Sequence, residues 1–163
     1  MQRRTLLRLS LAAGASLALA GCGFHLRGYG RSALRLEALA IAGSEGDFRR
    51  VATERLEAAG TQVRDDAPLV LNLGAGEFVE RRLSVLDSGS QEHEMTLRVP
   101  FSVQRRADGA YRLDQQALEV SERFDVSKDN LLAGDEQREA VKERLRREAA
   151  RRLLDRLRPL AEA

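Results

Sequence analysis

The chain has 163 residues, 43% of them hydrophobic and 32% charged, which is the length of one domain with a single two-layer core. It carries 27 Lys and Arg against 25 Asp and Glu, but Arg3, Arg4 and Arg8 fall in a segment that reads as cleavable. Without them 24 basic residues face 25 acidic ones, a net charge of −1, which excludes the net basic face of a nucleic-acid-binding domain. The single cysteine excludes an internal disulfide, so stability has to come from packing.

The first residues hold those three arginines and no acid, and an apolar run over 9–20 follows, the charge-then-hydrophobe order of an export signal. Its 12 residues are too few to span a bilayer. The run ends in Leu19-Ala20-Gly21-Cys22, small residues before the one thiol of the chain, and this resembles a lipobox. The expectation is a signal over 1–21 cut after Gly21, then one domain over 22–163 whose Cys22 carries S-diacylglycerol and N-acyl lipid. Two or three acyl chains hold a protein stably on a membrane without spanning it. Gln2-Arg3-Arg4-Thr5-Leu6-Leu7-Arg8 also looks like a twin-arginine motif, and paired arginines are common in ordinary signals, so both export routes stay open.

Leu34, Leu36, Leu39 and Ile41 predict a first strand that ends at Gly43, with a change of parity near Ala38. Phe48, Val51, Ala52, Leu56 and Ala59 recur at helical spacing behind an Asp47 cap candidate, with Gly60 as the stop. Leu69, Leu71 and Leu73, then Val79, Arg81 and Leu83, predict one long strand over 69–86 bent by a bulge at Gly74 and Gly76. After the turn Asp87-Ser88-Gly89-Ser90, a strand over 95–105 puts Met95, Leu97, Val99, Phe101 and Val103 on one face, with an irregularity at Pro100. Asp108-Gly109 predicts a hairpin turn, and a strand over 111–124 follows with a bulge near Gln116. Past a polar loop over 125–134, a helix over 135–158 buries Val141, Leu145, Ala149, Leu153 and Leu157 and is closed by Pro159. Acidic residues at its start and arginines at its end suit the helix dipole. The fold class is an α/β (α+β) two-layer sandwich: a four-stranded mixed sheet with two helices on one face, in the order β-α-β-β-β-α.

Chemistry-bearing clusters are absent from this pattern. His25 and His93 have no metal-ligand spacing, and Glu92-His93-Glu94 on a strand points to alternate faces, so no metal site is expected. No nucleophile motif or phosphate-cradling glycine loop is present, and the chain reads as a non-enzyme without a cofactor beyond the lipid on Cys22. The basic residues of the last helix, from Lys142 to Arg158, alternate with Glu139, Glu143, Glu148 and Asp155, which predicts a solvated, ion-paired face.

The run Cys22-Gly23-Phe24-His25-Leu26-Arg27-Gly28 resembles the mature start of the LptE family of lipopolysaccharide-assembly lipoproteins, and Asp135-Glu136-Gln137 resembles the family's opening of the last helix. The resemblance covers nearly the whole chain after Gly21. It implies a lipoprotein on the periplasmic face of the outer membrane, where Gly23 is not the aspartate of inner-membrane retention. It also implies 1:1 insertion into the lumen of the LptD β-barrel as a plug, with lipopolysaccharide as the cargo delivered to the outer leaflet. The family's two basic lipopolysaccharide-contact positions hold Asp87 and Ala133 here, which moves that role to the nearby cations Arg81, Arg82 and Lys128. Alternation puts Arg81 and Arg82 on opposite faces, and Arg82 is favoured because Arg81 shares parity with Val79 and Leu83. A lipid-anchored module for a different envelope partner would share the anchor and the sandwich.

Overall fold

Eight elements of regular structure arise in the structure, a computed structural model that describes residues 36–83, 90–127 and 131–161. The expected signal, Cys22, His25, Leu34, the Asp87 turn and Lys128 lie outside the described residues. In chain order the elements are β1 (Ala38–Gly43), α1 (Asp47–Ala58), β2 (Gln62–Val63), β3 (Leu69–Leu73), β4 (Glu77–Arg82), β5 (Ser90–Arg105), β6 (Tyr111–Ser127) and α2 (Leu131–Leu157), with a 3-10 turn over Arg158–Ala161. The sheet runs β2-β1-β3-β5-β4, and β6 pairs with β5. β1 is parallel to β2 and β3, and the other pairings are antiparallel.

The sheet is mixed as expected, but it has six strands among the described residues, not four, and the order becomes β-α-β-β-β-β-β-α. Two features account for the difference. β2 has only two residues, too few to leave an alternation in the sequence. The long strand expected over 69–86 is two strands laid end to end along one edge of β5: β3 opposite 101–105 and β4 opposite 93–98. The break falls at 74–76, where the backbone of Gly74 lies under Pro100. A Cβ on Gly74 would be 2.4 Å from Cγ of Pro100, and the Gly74 N–H donates to the Pro100 carbonyl at 2.8 Å. Only glycine permits that approach.

The break also resets which side chains face the helices. Leu73 lies opposite Phe101, whereas on β4 it is Phe78, Glu80 and Arg82 that lie opposite Leu97, Met95 and His93. Directly opposed residues share a face. Val79 therefore points away from the helices and is 48% exposed, the reverse of the parity expected from the sequence.

Both helices lie on one side of the sheet as expected. Phe48, Val51, Ala52 and Leu56 of α1 join Val141, Leu145, Ala149, Leu153 and Leu157 of α2 in one core with Leu39, Ile41, Leu71 and the β5 stripe from Met95 to Val103. The helix-free side holds only a small cluster, Ala38, Ala40 and Ala67.

Details at the element ends differ from expectation. α1 is capped by Gly46 with no side-chain hydrogen bond, and Asp47 is the first helical residue rather than the cap. α2 begins at Leu131, inside the segment read as a polar loop, because Leu131-Leu132-Ala133 are strong helix formers. Its first turn consequently holds no acid, and Asp135 and Glu136 fall in the second. The β6 bulge lies where expected, since Phe101 pairs with Gln116 but Val103 with Leu113. The Asp108-Gly109 turn also forms, with Oδ1 of Asp108 accepting from the Ala110 N–H at 3.1 Å.

Candidate functional site

The cations singled out in the sequence cluster where β4 and β5 approach the start of α2. Arg81 is on the helix-free side, with Nη2 2.7 Å from Oε2 of Glu94 and its side chain 71% exposed. Arg82 is on the helix side, opposite His93 in the ladder. The two arginines lie on opposite faces as expected. The reason for favouring Arg82 is corrected: the Val79 face is the solvent-facing one, so Arg81, not Arg82, shares the open side. Lys128 and Asp87 lie outside the described residues, and Ala133 is in the first turns of α2.

Around Arg82 the helix side of β4 is tied to α2 through charge. Oε1 of Glu80 is 2.7 Å from Nδ1 of His93, which makes no aligned hydrogen bond, so the contact is chiefly electrostatic. The His93 ring packs 5.8 Å from Phe124, and Glu80 also accepts from Nε of Arg138 at 3.1 Å. Arg138 in turn reaches Asp135 at 3.1 Å. Glu92 and Glu94 pair in register with Asp125 and Arg123 while His93 pairs with Phe124, so the three do not converge. Among the described residues no group of three His, Cys, Asp or Glu is placed to hold a metal ion.

Along α2 the ion-paired face takes shape as expected. Lys142 reaches Glu139 at 2.6 Å, Arg144 reaches Glu122 of β6 at 2.7 Å, and Arg151 reaches Glu148 at 2.6 Å and Asp155 at 3.2 Å. Arg146 was read as one more member of this face, yet its side chain is only 12% exposed. It lies 5.3 Å over the Phe78 ring and pairs with Asp47 at 3.1 Å and Glu143 at 2.9 Å. Nothing local in the sequence signals this role, because Phe78 and Asp47 reach it only through the tertiary fold.

Hydrogen bonding from Arg151, reinforced by Arg152, holds the Glu148 carboxyl at about 2, below the usual 4.5. A depressed carboxylate contributes stability that is fully present above its unfolded pKa and is lost as pH falls through the folded one. Wild type should therefore lose its advantage over Glu148→Gln between pH values of about 4.5 and 2. With the side chain 37% exposed, solvent screening keeps the effect under about 1 kcal/mol. Denaturant titrations of both proteins across that window measure it; a gap that does not narrow on acidification refutes the assignment.

No described helix is long and apolar enough to cross a membrane. Residues 33–157 match the LptE family, described as lipopolysaccharide-assembly. The chain belongs to that family. It is 28% identical over 150 residues to the LPS-assembly lipoprotein LptE of Pectobacterium atrosepticum, covering 88% of this chain and 80% of the relative. It is 29% identical over 149 residues to the protein of the same name from Photorhabdus laumondii, with the same coverage. Among solved structures, the solution structure of lipoprotein B from Nitrosomonas europaea superposes with a TM-score of 0.67 at 19% identity, over 86% of this chain and 94% of that one. At that identity the likeness concerns the fold, and it agrees with the α+β sheet-and-helix architecture. The family is an assembly family and not a known family of enzymes, which accords with the reading of the chain as a non-enzyme.

Proposed function

We propose that this protein is the lipid-anchored accessory subunit that plugs the LptD outer-membrane barrel and assists lipopolysaccharide assembly into the outer leaflet, held on the periplasmic face through Cys22. The observation that carries the reading is the family match over 33–157, joined to the Cys22–Gly28 run that precedes it. A polar barrel lumen accommodates a plug whose surface is charged in both signs, and α2 and the helix-free side of β4–β6 supply such a surface. A domain enclosed by a barrel buries far more than a standard interface of about 1,600 Å². The full lipidated chain, purified from native membranes in mild detergent, should bring down a large barrel in a 1:1 ratio and keep it at physiological salt. Dissociation under those conditions argues against the plug.

Within this reading Arg82 and Lys128 are the proposed lipopolysaccharide contacts and Arg81 the weaker third, because Arg81 is already engaged by Glu94. Phosphate groups of the cargo suit an arginine fork and a mobile lysine charge. Arg82→Asp with Lys128→Asp should weaken lipopolysaccharide binding by about tenfold, as losing one charge-assisted contact of roughly 1.5 kcal/mol implies. Binding at the wild-type level in a double variant with an unchanged circular dichroism spectrum takes both residues out of the mechanism.

A further inference from the structure

Between α1 and α2 runs a groove of about 510 Å³, away from the β4–β5 cluster. Its floor is apolar, formed by buried Val51 and Ala150, and its walls carry Arg55 from α1 and Arg147, Glu148 and Arg151 from α2. The charges on those walls are unequally satisfied. Glu148 is occupied by Arg151 at 2.6 Å and Arg152 at 3.1 Å, and Arg144 is drawn off to Glu122 on β6. Arg147 finds a carboxylate only at 3.7 Å, on a Glu143 that already serves Arg146 at 2.9 Å. Arg55 makes no side-chain ion pair or hydrogen bond among the described residues.

We propose that this groove is a docking site for an acidic segment of the protein partner, with its carboxylates on Arg55 and Arg147 and an apolar side chain on the Val51–Ala150 floor. Charge complementarity sets the occupant: two guanidinium forks without aligned carboxylates stand on opposite walls, and each matches a carboxylate bidentately. A lipid surface offers anionic groups too, but a planar headgroup layer meets the arginine tips and leaves the recessed floor empty. A peptide fills both. The proposal rests on the barrel-plug reading for the partner's identity and adds which face of the plug meets it.

The test uses the full lipidated chain in native membranes. Arg55→Glu with Arg147→Glu should reduce barrel recovery at least tenfold while the purified variant keeps the wild-type circular dichroism spectrum and melting temperature. A photo-crosslinking residue in place of Arg147 should join a peptide containing Asp or Glu. Full recovery by the folded double variant overturns the docking site, as does a crosslink to lipid or to a peptide without carboxylates. If the charge reversal unfolds the chain, Arg55→Gln with Arg147→Gln and the same crosslink decide the question. A wild-type chain that recovers no barrel defeats the plug reading instead, and an acidic crosslinked peptide from another protein then still supports the groove.

Discussion

Cys22→Ala is expected to abolish acylation completely and to leave the full 163-residue precursor uncleaved. The chemistry is ordered: a lipobox thiol is alkylated by diacylglycerol before cleavage after Gly21, so removing the nucleophilic sulfur stops both steps. The effect on anchoring is large because affinity scales with buried methylenes, at about 0.8 kcal/mol each, and two or three acyl chains are lost together. Metabolic labelling with a fatty-acid probe, read beside the mobility of the chain, measures it. Label on the Cys22→Ala protein places the lipid elsewhere and withdraws the anchor.

How much of this architecture could be read from the chain depends on whether each signal was local. The β5 stripe was plain, because Met95, Leu97, Val99, Phe101 and Val103 alternate without interruption and all five are buried against the helices. The stripe of α1 and the Asp108-Gly109 turn are likewise short-range patterns, and both formed where expected. The failures are tertiary in origin. A bulge was expected at Gly74 and Gly76, but its effect on parity was not carried through, so Val79 was set inward and Phe78 outward. The decisive contact, Gly74 under Pro100, joins residues on two different strands. Asp47 looked like a helix cap because Asp commonly is one, and only the folded chain brings Arg146 to its carboxylate.

The candidate site was legible in part for the same reason. Opposite faces for Arg81 and Arg82 follow from strand alternation alone, and this holds. Which of the two faces is open depends on the bulge, and there the expectation was inverted. The ion pairing along α2 was visible at i, i+3 and i, i+4 spacing, whereas the uneven satisfaction of Arg55 and Arg147 emerges only once α1 and α2 are side by side.

Gly43→Ala is expected to cost about 3 kcal/mol or more, a large part of the roughly 5–15 kcal/mol that holds a domain of this kind together. Gly43 looked in the sequence like a simple end of strand, but two separate demands meet there. Its φ is +100°, which costs a residue with a side chain about 1–3 kcal/mol. A Cβ built there would also lie 2.1 Å from the carbonyl oxygen of Leu73, its partner in the parallel β1–β3 ladder. Backbone cannot yield as a flexible side chain does, so β1 must separate from β3. That separation sacrifices the Ser44 N–H bond to the same carbonyl, 2.8 Å long, and loosens the packing of Leu39 and Ile41. Gly60 supplies the control, since its φ is +93° but a Cβ there meets nothing within 4 Å. Gly60→Ala should show the conformational cost alone, about 1 kcal/mol, and Gly43→Ala that cost plus the collision. At roughly 2–4 °C per kcal/mol, thermal unfolding by circular dichroism should place the Gly43 variant some 5 °C or more below the Gly60 variant. Equal melting temperatures would mean that the Leu73 carbonyl is not what requires glycine at the end of β1.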